Sequence, residues 1–453
     1  MNALRMLGTD LRVLLVTTTT VWWRLLPRLL ALHLLGYLGF QLALKCAVVV
    51  GLTSAWAALA VFSAGFIPLL ASIVLSLRLV GVELGVRDLV PTDEATDDDR
   101  DASISRLLAI TLLPFLGIYT AFGFIQHASE LLVVDSLFVS GNVAGYGSSI
   151  LGRLRLIDAP TSKYVVVGGV IVGAYLVRRV LDAWHERTGW RPLGLAVAFV
   201  EGFFVLAALT SGADIVARFR FWLTDRAFVG WLATVHDAVA AALAAVIALL
   251  PGFLVRAVSY LHTHFWPVVF DEVTQPIIWL AVSALVFGSK VVSVAELWRK
   301  GRPLVRRGER AATLAAHRPP STQPRTSGRA ARVGLELREA FLGDIDDKYL
   351  PTIHSVRLVA RAGAIFLGAY LLAYALQAAL RNYWTQIVNG VVGGHPAAFW
   401  FTWAPVFDLI GDLPFEPWRL CLLGVAFHRC LEIFRARADK RAASAVALTG
   451  APR

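Results

Sequence analysis

One acidic residue interrupts an otherwise apolar stretch of the chain. Glu201 lies in the segment RPLGLAVAFVEGFFVLA, ten residues after Arg191, which is about 15 Å along a helix. An ionisable side chain near the centre of a membrane is costly, and its presence suggests a function. Glu201 is therefore a candidate carrier of a proton or a cation along a path through the membrane. The alternative is a neutral carboxyl group that forms hydrogen bonds inside a helix bundle.

Polar residues at intervals of four mark one face of the first long apolar segment. Residues four apart lie on the same side of an α-helix, so the pattern predicts a polar stripe. The stripe either lines a water-filled path or faces the interior of the bundle. The long side chain of Lys45 can extend to the outer surface of the membrane. The four residues of the stripe are His33, Tyr37, Gln41 and Lys45.

The histidines, the cysteines and the motifs of the sequence indicate neither a metal site nor a cofactor site. His262 and His264 supply two ligands, whereas a zinc site needs three or four. The three cysteines lie in apolar segments without a CxxC spacing. The sequence contains no GxxxxGK[ST], GxSxG or HExxH motif, which excludes a P-loop ATPase, a serine hydrolase with a nucleophile elbow and a zincin. No folded basic patch with interleaved aromatic residues points to a nucleic acid.

The composition indicates a membrane protein. Hydrophobic residues make up 57% of the chain, charged residues make up 17%, and the mean hydropathy is +0.64. A soluble domain has roughly 25% charged residues and about 45–50% apolar ones. Apolar stretches of 18 residues or more predict transmembrane helices. These features exclude a soluble enzyme, a disordered protein, a collagen-like fibre and a small disulfide scaffold.

The predicted fold that positions Glu201 and the polar stripe is an all-α, polytopic helical bundle. Arg24 and Arg28 place the N-terminus in the cytoplasm, and the basic residues after 434 place the C-terminus there too. The number of crossings is then even, so 238–256, which contains Pro251 and Gly252, is predicted to be re-entrant. The eight predicted crossings are 29–50, 56–77, 106–126, 164–181, 193–211, 276–296, 357–380 and 417–434.

Glycines at matched positions predict an internal repeat. Four glycines each follow an arginine by 11 residues: Gly39, Gly117, Gly202 and Gly368. Small residues at that depth let neighbouring helices approach closely. The pattern predicts four tandem helical hairpins. The alternative is coincidence, because topology demands arginine at inner helix ends and glycine is common in membrane helices.

The segments between the crossings complete the predicted organisation. An interfacial helix on the inner leaflet (1–28) precedes hairpin 1 (29–78) and an acidic cytoplasmic linker (79–105). Hairpin 2 (106–181) has an outer loop at 127–163, and hairpin 3 (191–298) has an outer insertion at 212–275. A basic flexible cytoplasmic loop (299–340) precedes hairpin 4 (357–434), whose outer loop is 381–416, and a cytoplasmic tail (435–453). The arginine-rich composition points to a bacterial cytoplasmic membrane.

Three functional hypotheses follow from this organisation. The first is a transporter- or channel-like protein that moves a small solute, an ion or a lipid through the bundle. The alternative is a non-catalytic scaffold or accessory subunit of a cell-envelope or secretion complex. A lipid-modifying enzyme, based on histidine and acidic residues of the outer loops, is the third. The expected partners are membrane lipids and a protein that contacts loop 299–340 or the outer aromatic loops, and no nucleic acid.

The orientation of the chain is testable at loop 299–340. A cysteine introduced by Ser321→Cys, with the three native cysteines replaced, should react with a membrane-impermeant thiol reagent in inverted vesicles. The same variant in intact cells should stay unlabelled because the predicted loop faces the cytoplasm. Labelling of intact cells would contradict the predicted topology.

Overall fold

The described part of the chain is built from α-helices. A computed structural model describes residues 2–86, 124–140, 161–188, 191–212, 259–287 and 363–449, together with Phe115, Tyr119, Leu154 and Arg256. Within these residues 95% of the structure is helical and no strand is present. The predicted all-α class is therefore confirmed for the described residues.

Nine α-helices make up the described residues, and two single-turn π-helices adjoin them. The π-helix Ala208–Gly212 continues α5, and the π-helix Leu261–Phe265 precedes α6. The helices are α1 (Asn2–Gly51), α2 (Ala55–Glu83), α3 (Phe124–Ser140), α4 (Thr161–Thr188), α5 (Arg191–Ala207), α6 (Trp266–Phe287), α7 (Ala364–Val392), α8 (Ala397–Asp412) and α9 (Phe415–Thr449).

Five of the described helices are long and apolar enough to cross a membrane. The qualifying segments are Leu4–Gly51, Ala55–Glu83, Lys163–Leu181, Leu193–Thr210 and Ala364–Val392. Each overlaps one predicted crossing. The predicted crossing 417–434 falls within α9, where Arg419, Arg429 and Glu432 lower the hydropathy. The segments 106–126 and 238–256 lie largely or wholly outside the described residues.

Helix α1 is the longest element and does not end where the sequence predicts a boundary. The interfacial helix 1–28 and the crossing that begins at residue 29 form one continuous helix that contains Pro27. Proline removes one backbone hydrogen bond, and packing of neighbouring helices tolerates that loss in membrane proteins. Both halves of α1 contribute to the core, as the burial of Leu14 and Leu44 shows.

Glycines set the close approach of α1 and α2. A Cβ atom on Gly36 would lie 2.6 Å from the Ser72 Cβ, and one on Gly39 would lie 2.8 Å from the Pro68 Cβ. Both distances are far shorter than a van der Waals contact. The two helices therefore pack with their backbones nearly touching, joined by the short turn before Ser54, whose side chain caps α2.

Helices α8 and α9 run one after the other along α7. The Trp384 indole donates to the Ile410 carbonyl at 3.0 Å, and the Gln377 amide donates to the Phe415 carbonyl at 3.4 Å. Later residues of α8 and α9 thus meet earlier residues of α7. The helical structure is interrupted between α8 and α9 at Leu413 and Pro414, because proline cannot donate the hydrogen bond that would continue α8. The predicted outer loop 381–416 is thus mostly helical.

Several other predicted segments fall outside the part of the chain that the structure describes. These are residues 87–105 of the acidic linker, Gly117, most of the insertion 212–275 and the basic loop 299–340. Of the predicted outer loop 127–163, the part up to Ser140 belongs to α3 and the part from Thr161 begins α4.

The close contact between α1 and α2 generates a stability prediction. Gly36→Val should lower the unfolding free energy by about 1–3 kcal/mol, because the new side chain collides with Ser72. Gly8→Val on the same helix is the matched control, since a Cβ atom added there would meet no atom within 4 Å. Thermal unfolding in detergent measures both variants. Equal stability of the two variants would contradict the close packing of α1 and α2.

Candidate functional site

A cavity of about 480 Å³ lies among the described helices. Side chains of α1, α2, α3, α6, α7, α8 and α9 line it, as does Tyr119. Three of these helices, α1, α2 and α7, are long and apolar enough to span a membrane. Its volume falls within the range of about 300–1,000 Å³ that is typical of small-molecule sites.

The α1 wall of the cavity is formed by three residues of the predicted polar stripe. The Gln41 amide donates to the Tyr37 hydroxyl at 3.0 Å, and that hydroxyl donates to the Pro405 carbonyl of α8 at 2.5 Å. His33 lies one turn earlier on the same face. The buried atoms His33 Nε2 and Gln41 Oε1 have no hydrogen-bond partner among the described residues.

The charged wall of the cavity lies at the break between α8 and α9. The Arg381 guanidinium of α7 donates through Nε to Asp412 Oδ1 at 2.6 Å, at the end of α8. The Arg419 guanidinium donates to Glu416 Oε2 at 2.5 and 3.0 Å, within the first turn of α9. A carboxylate in the first turn of a helix also interacts favourably with the helix dipole. Each guanidinium is thus neutralised beside the break.

The carboxyl groups at the break differ in acidity. Burial, the neighbouring Glu416 charge and Asp408 together raise the pKa of Asp412 to about 6, although Arg381 opposes the shift. Partial burial also raises the pKa of Asp408, which keeps an exposed edge, while His127 and Arg381 oppose that shift. Burial opposes ionisation of Glu416, but Arg419 and Arg381 outweigh it and lower the pKa of this group. Glu416 therefore stays charged at a pH where Asp412 begins to take up a proton.

Aromatic side chains form the third wall. The ring of Trp279 from α6 lies 5.8 Å from that of Tyr119, and the ring of Tyr119 lies 4.5 Å from that of Phe124. The Arg419 guanidinium carbon stacks 4.4 Å from the centre of the Trp279 ring, a cation–π contact. Phe40 of α1 completes the wall next to Phe124. The cavity therefore has an aromatic side and a charged side.

Two of the predicted pathway residues lie away from the cavity. The Lys45 ammonium donates to Asp135 Oδ2 of α3 at 2.6 Å, which connects α1 to α3. Glu201 is fully buried on α5, and its Oε1 lies 3.5 Å from Arg178 Nη2 of α4. Neither residue is among those that line the cavity. The structure thus groups His33, Tyr37 and Gln41 at one site and places Glu201 in a buried ion pair between two other helices.

The predicted repeat glycines have different surroundings. Gly39 lies at the contact of α1 with α2, and a Cβ on Gly368 would lie 3.5 Å from a methyl group of Leu7. Gly202 is buried on α5 beside Glu201. Gly117 lies outside the described residues. The three described glycines are thus at or near helix contacts, but they do not share one packing environment.

Sequence reasoning missed the carboxylates of the cavity. Asp408, Asp412 and Glu416 recur at intervals of four in a segment that is otherwise apolar and aromatic. That spacing is the same signal that identifies the α1 stripe. The row is hard to recognise because Pro414 interrupts it and because the sequence predicts an outer loop there. Arg381 and Arg419 lie near the ends of the predicted crossings 357–380 and 417–434. Arginine is typical of such membrane-boundary positions, so neither residue indicates a cavity.

The histidines of the other predicted loops do not form a metal-type cluster in the described structure. The ring of His264 stacks on Tyr260 at 5.0 Å, and its Nδ1 lies 2.7 Å from the Thr263 hydroxyl. Groups of three or more histidine, cysteine or acidic side chains with metal-ligand spacing do not occur among the described residues. The cavity is therefore the site on which a functional argument can be built.

Comparison with models of protein families, with curated proteins and with solved structures finds no match to this chain. The function is accordingly argued from the geometry and chemistry of the cavity.

The buried pair of Arg178 and Glu201 generates a prediction that separates a structural role from a pathway role. Glu201→Gln should lower the unfolding free energy by about 3–5 kcal/mol, because it removes the carboxylate of a buried ion pair. The matched control is Glu83→Gln, which breaks the more exposed pair with Arg24 and should cost at most about 1 kcal/mol. Thermal unfolding in detergent measures both. If Glu201→Gln is as stable as the control, the ion pair does not stabilise the α4–α5 contact.

Proposed function

We propose that this chain is a transporter- or channel-like membrane protein that moves a small solute, an ion or a lipid. The observation that carries the proposal is the cavity of about 480 Å³ among helices long enough to span a membrane. Its walls hold ionisable side chains from α7, α8 and α9. Ionisable groups within a membrane bundle characteristically mark the route of a substrate or a proton.

The break between α8 and α9 supports the proposal. The break lies between the proposed crossings 357–380 and 417–434, at their outer ends, where irregular backbone can line a water-filled cavity. The ends of helices carry partial charges that can interact with a solute. Here the last turn of α8 and the first turn of α9 place Asp412 and Glu416 at the same cavity.

The proposed path runs past the α1 stripe. His33, Tyr37 and Gln41 line the cavity, and the buried atoms His33 Nε2 and Gln41 Oε1 have no hydrogen-bond partner among the described residues. Lys45 and Glu201 lie on other contacts, so we assign the path to the α1 stripe and to the α8–α9 break. The proposed cargo enters between α1, α7 and α8.

The finer architecture is part of the proposal. We propose eight crossings arranged as four hairpins in a bacterial cytoplasmic membrane, with both termini in the cytoplasm. The basic residues near Arg24 and after Phe434 support the orientation. The hairpins α1–α2 and α7–α9, each with a repeat glycine at or near a helix contact, support the repeat.

An exposed aromatic and aliphatic surface on α7 and α8 favours the second candidate function, an accessory subunit of an envelope or secretion complex. Trp403 and Phe401 of α8 and Tyr383 and Val391 of α7 are exposed. A protein partner or lipid would cover this surface. The basic loop 299–340 is a second proposed contact for a partner, and membrane lipids surround the bundle.

Access to the cavity from both sides of the membrane tests the transport proposal without knowledge of the substrate. Ala378 lines the cavity on α7. In a chain whose Cys46, Cys421 and Cys430 are replaced by alanine, Ala378→Cys should react with a membrane-impermeant thiol reagent in both intact cells and inverted vesicles. This result is expected because a transport cavity opens to each side in turn, and a channel opens to both.

Gly390→Cys is the matched control on the same helix. Gly390 is exposed near the end of α7, and a Cβ atom added there would meet no atom within 4 Å. In the proposed orientation it should react in intact cells only. If Ala378→Cys follows the same one-sided pattern as this control, the cavity is a fixed crevice and the transport proposal is wrong.

A further inference from the structure

The charge balance of the cavity is negative. The described residues that line it include three carboxyl groups, those of Asp408, Asp412 and Glu416, and two guanidinium groups, those of Arg381 and Arg419. With the two lining histidines neutral, the ionised groups leave one net negative charge. The unmatched carboxylate is that of Asp408, which is exposed at the cavity. A carboxylate without a counter-charge attracts a cation, so a cation is the occupant that this balance favours.

Both guanidinium groups already have carboxylate partners. Arg381 is paired with Asp412, and Arg419 is paired with Glu416 while its face is covered by Trp279. An anionic ligand would have to displace a carboxylate from an arginine. Asp408, in contrast, lines the cavity without forming a salt bridge within the described residues. The charge that remains to be matched is therefore the carboxylate of Asp408.

The aromatic wall is suited to an organic cation rather than to a bare metal ion. Aromatic faces attract cations through their ring quadrupoles, and groups of such rings are the usual binding sites for quaternary ammonium groups. The rings of Tyr119, Phe124 and Phe40 are neighbours along this wall, beside Trp279, on which Arg419 already stacks.

From this combination we infer that the cavity binds a small organic cation, such as a protonated amine or a quaternary ammonium compound, between Asp408 and the aromatic wall. The inference rests on the proposed function in that the bound cation is the cargo. Binding itself requires only the cavity. The two proposals therefore fail in different experiments.

The acidity of the carboxyl groups adds a pH dependence with a defined sign. Burial raises the pKa of Asp412 to about 6, so this group loses its negative charge as the pH falls toward 5. Burial also raises the pKa of Asp408 above its usual range, so acid reduces its charge earlier than that of a free carboxyl group. Cation binding should therefore weaken on acidification. The charged and titratable groups that face this pair from the other helices are Tyr37 of α1, His127 of α3, Arg381 of α7 and Glu416 of α9.

The test compares three soluble probes of similar size on the purified full chain in detergent. Benzyltrimethylammonium is the cation, benzenesulfonate the anion and benzyl alcohol the neutral compound. Titration calorimetry at pH 7.5 should give a Kd for the cation at least about tenfold lower than for either other probe. The cation affinity should fall at pH 5.

Asp408→Asn should weaken binding of the cation about tenfold or more, because it removes the unmatched charge. Asp408→Glu should restore it, which shows that the charge rather than the fold of α8 is responsible. Asp10→Asn on α1, outside the cavity lining, is the matched control and should leave the affinity unchanged.

Each other outcome overturns the inference. Tighter binding of benzenesulfonate would show an anion site, and equal binding of all three probes would show an apolar pocket. Cation binding that Asp408→Asn leaves unchanged would place the ligand elsewhere, and binding of no probe would exclude this ligand class. None of these results bears on the two-sided labelling of Ala378→Cys. Conversely, one-sided labelling with intact cation binding would leave a cation-binding protein that does not transport.

Discussion

The pairing of two arginines with carboxylates at a broken helix is the interaction on which the rest of this structure depends. Arg419 is buried among apolar side chains, where an unpaired guanidinium would cost several kcal/mol, whereas Arg381 is partly exposed. Asp412 and Glu416 meet them because α8 ends and α9 begins between the two carboxylates. A continuous helix would still align these acids, but it would leave no irregular backbone at the cavity. The proline that breaks the helix and the acids that flank it therefore form one structural unit.

The helices themselves follow closely from the sequence, because long apolar stretches have few alternatives in a membrane. The predicted crossings 29–50 and 56–77 fall within α1 and α2, and 164–181 and 193–211 fall on α4 and α5. Helix ends are less predictable. Pro27 lies next to a predicted boundary between two elements, yet α1 continues through it because the surrounding helices compensate for one missing hydrogen bond.

The candidate site is predictable on one side only. A spacing of four residues places His33, Tyr37 and Gln41 on one face of α1, and all three line the cavity. The interruption of an apolar segment identifies Glu201 as an unusual acid but not its partner, because Arg178 lies on another helix. The acids of α8 and α9 share the spacing of the α1 stripe, but Pro414 lies within the row and conceals it. Spacing reveals which residues share a face, whereas tertiary packing decides which faces meet.

The length of α7 has a consequence for how lipid acts on the cavity. Its 29 residues rise about 43 Å, whereas the hydrocarbon layer of a typical bilayer is about 30 Å thick. A helix longer than that layer tilts or extends one end into the interface. Arg381 lies 17 residues along α7, about 26 Å from its start, where the uninterrupted apolar part of the helix ends. We therefore expect the thickness of the bilayer to affect the tilt of α7 and, through it, the geometry of the Arg381–Asp412 pair.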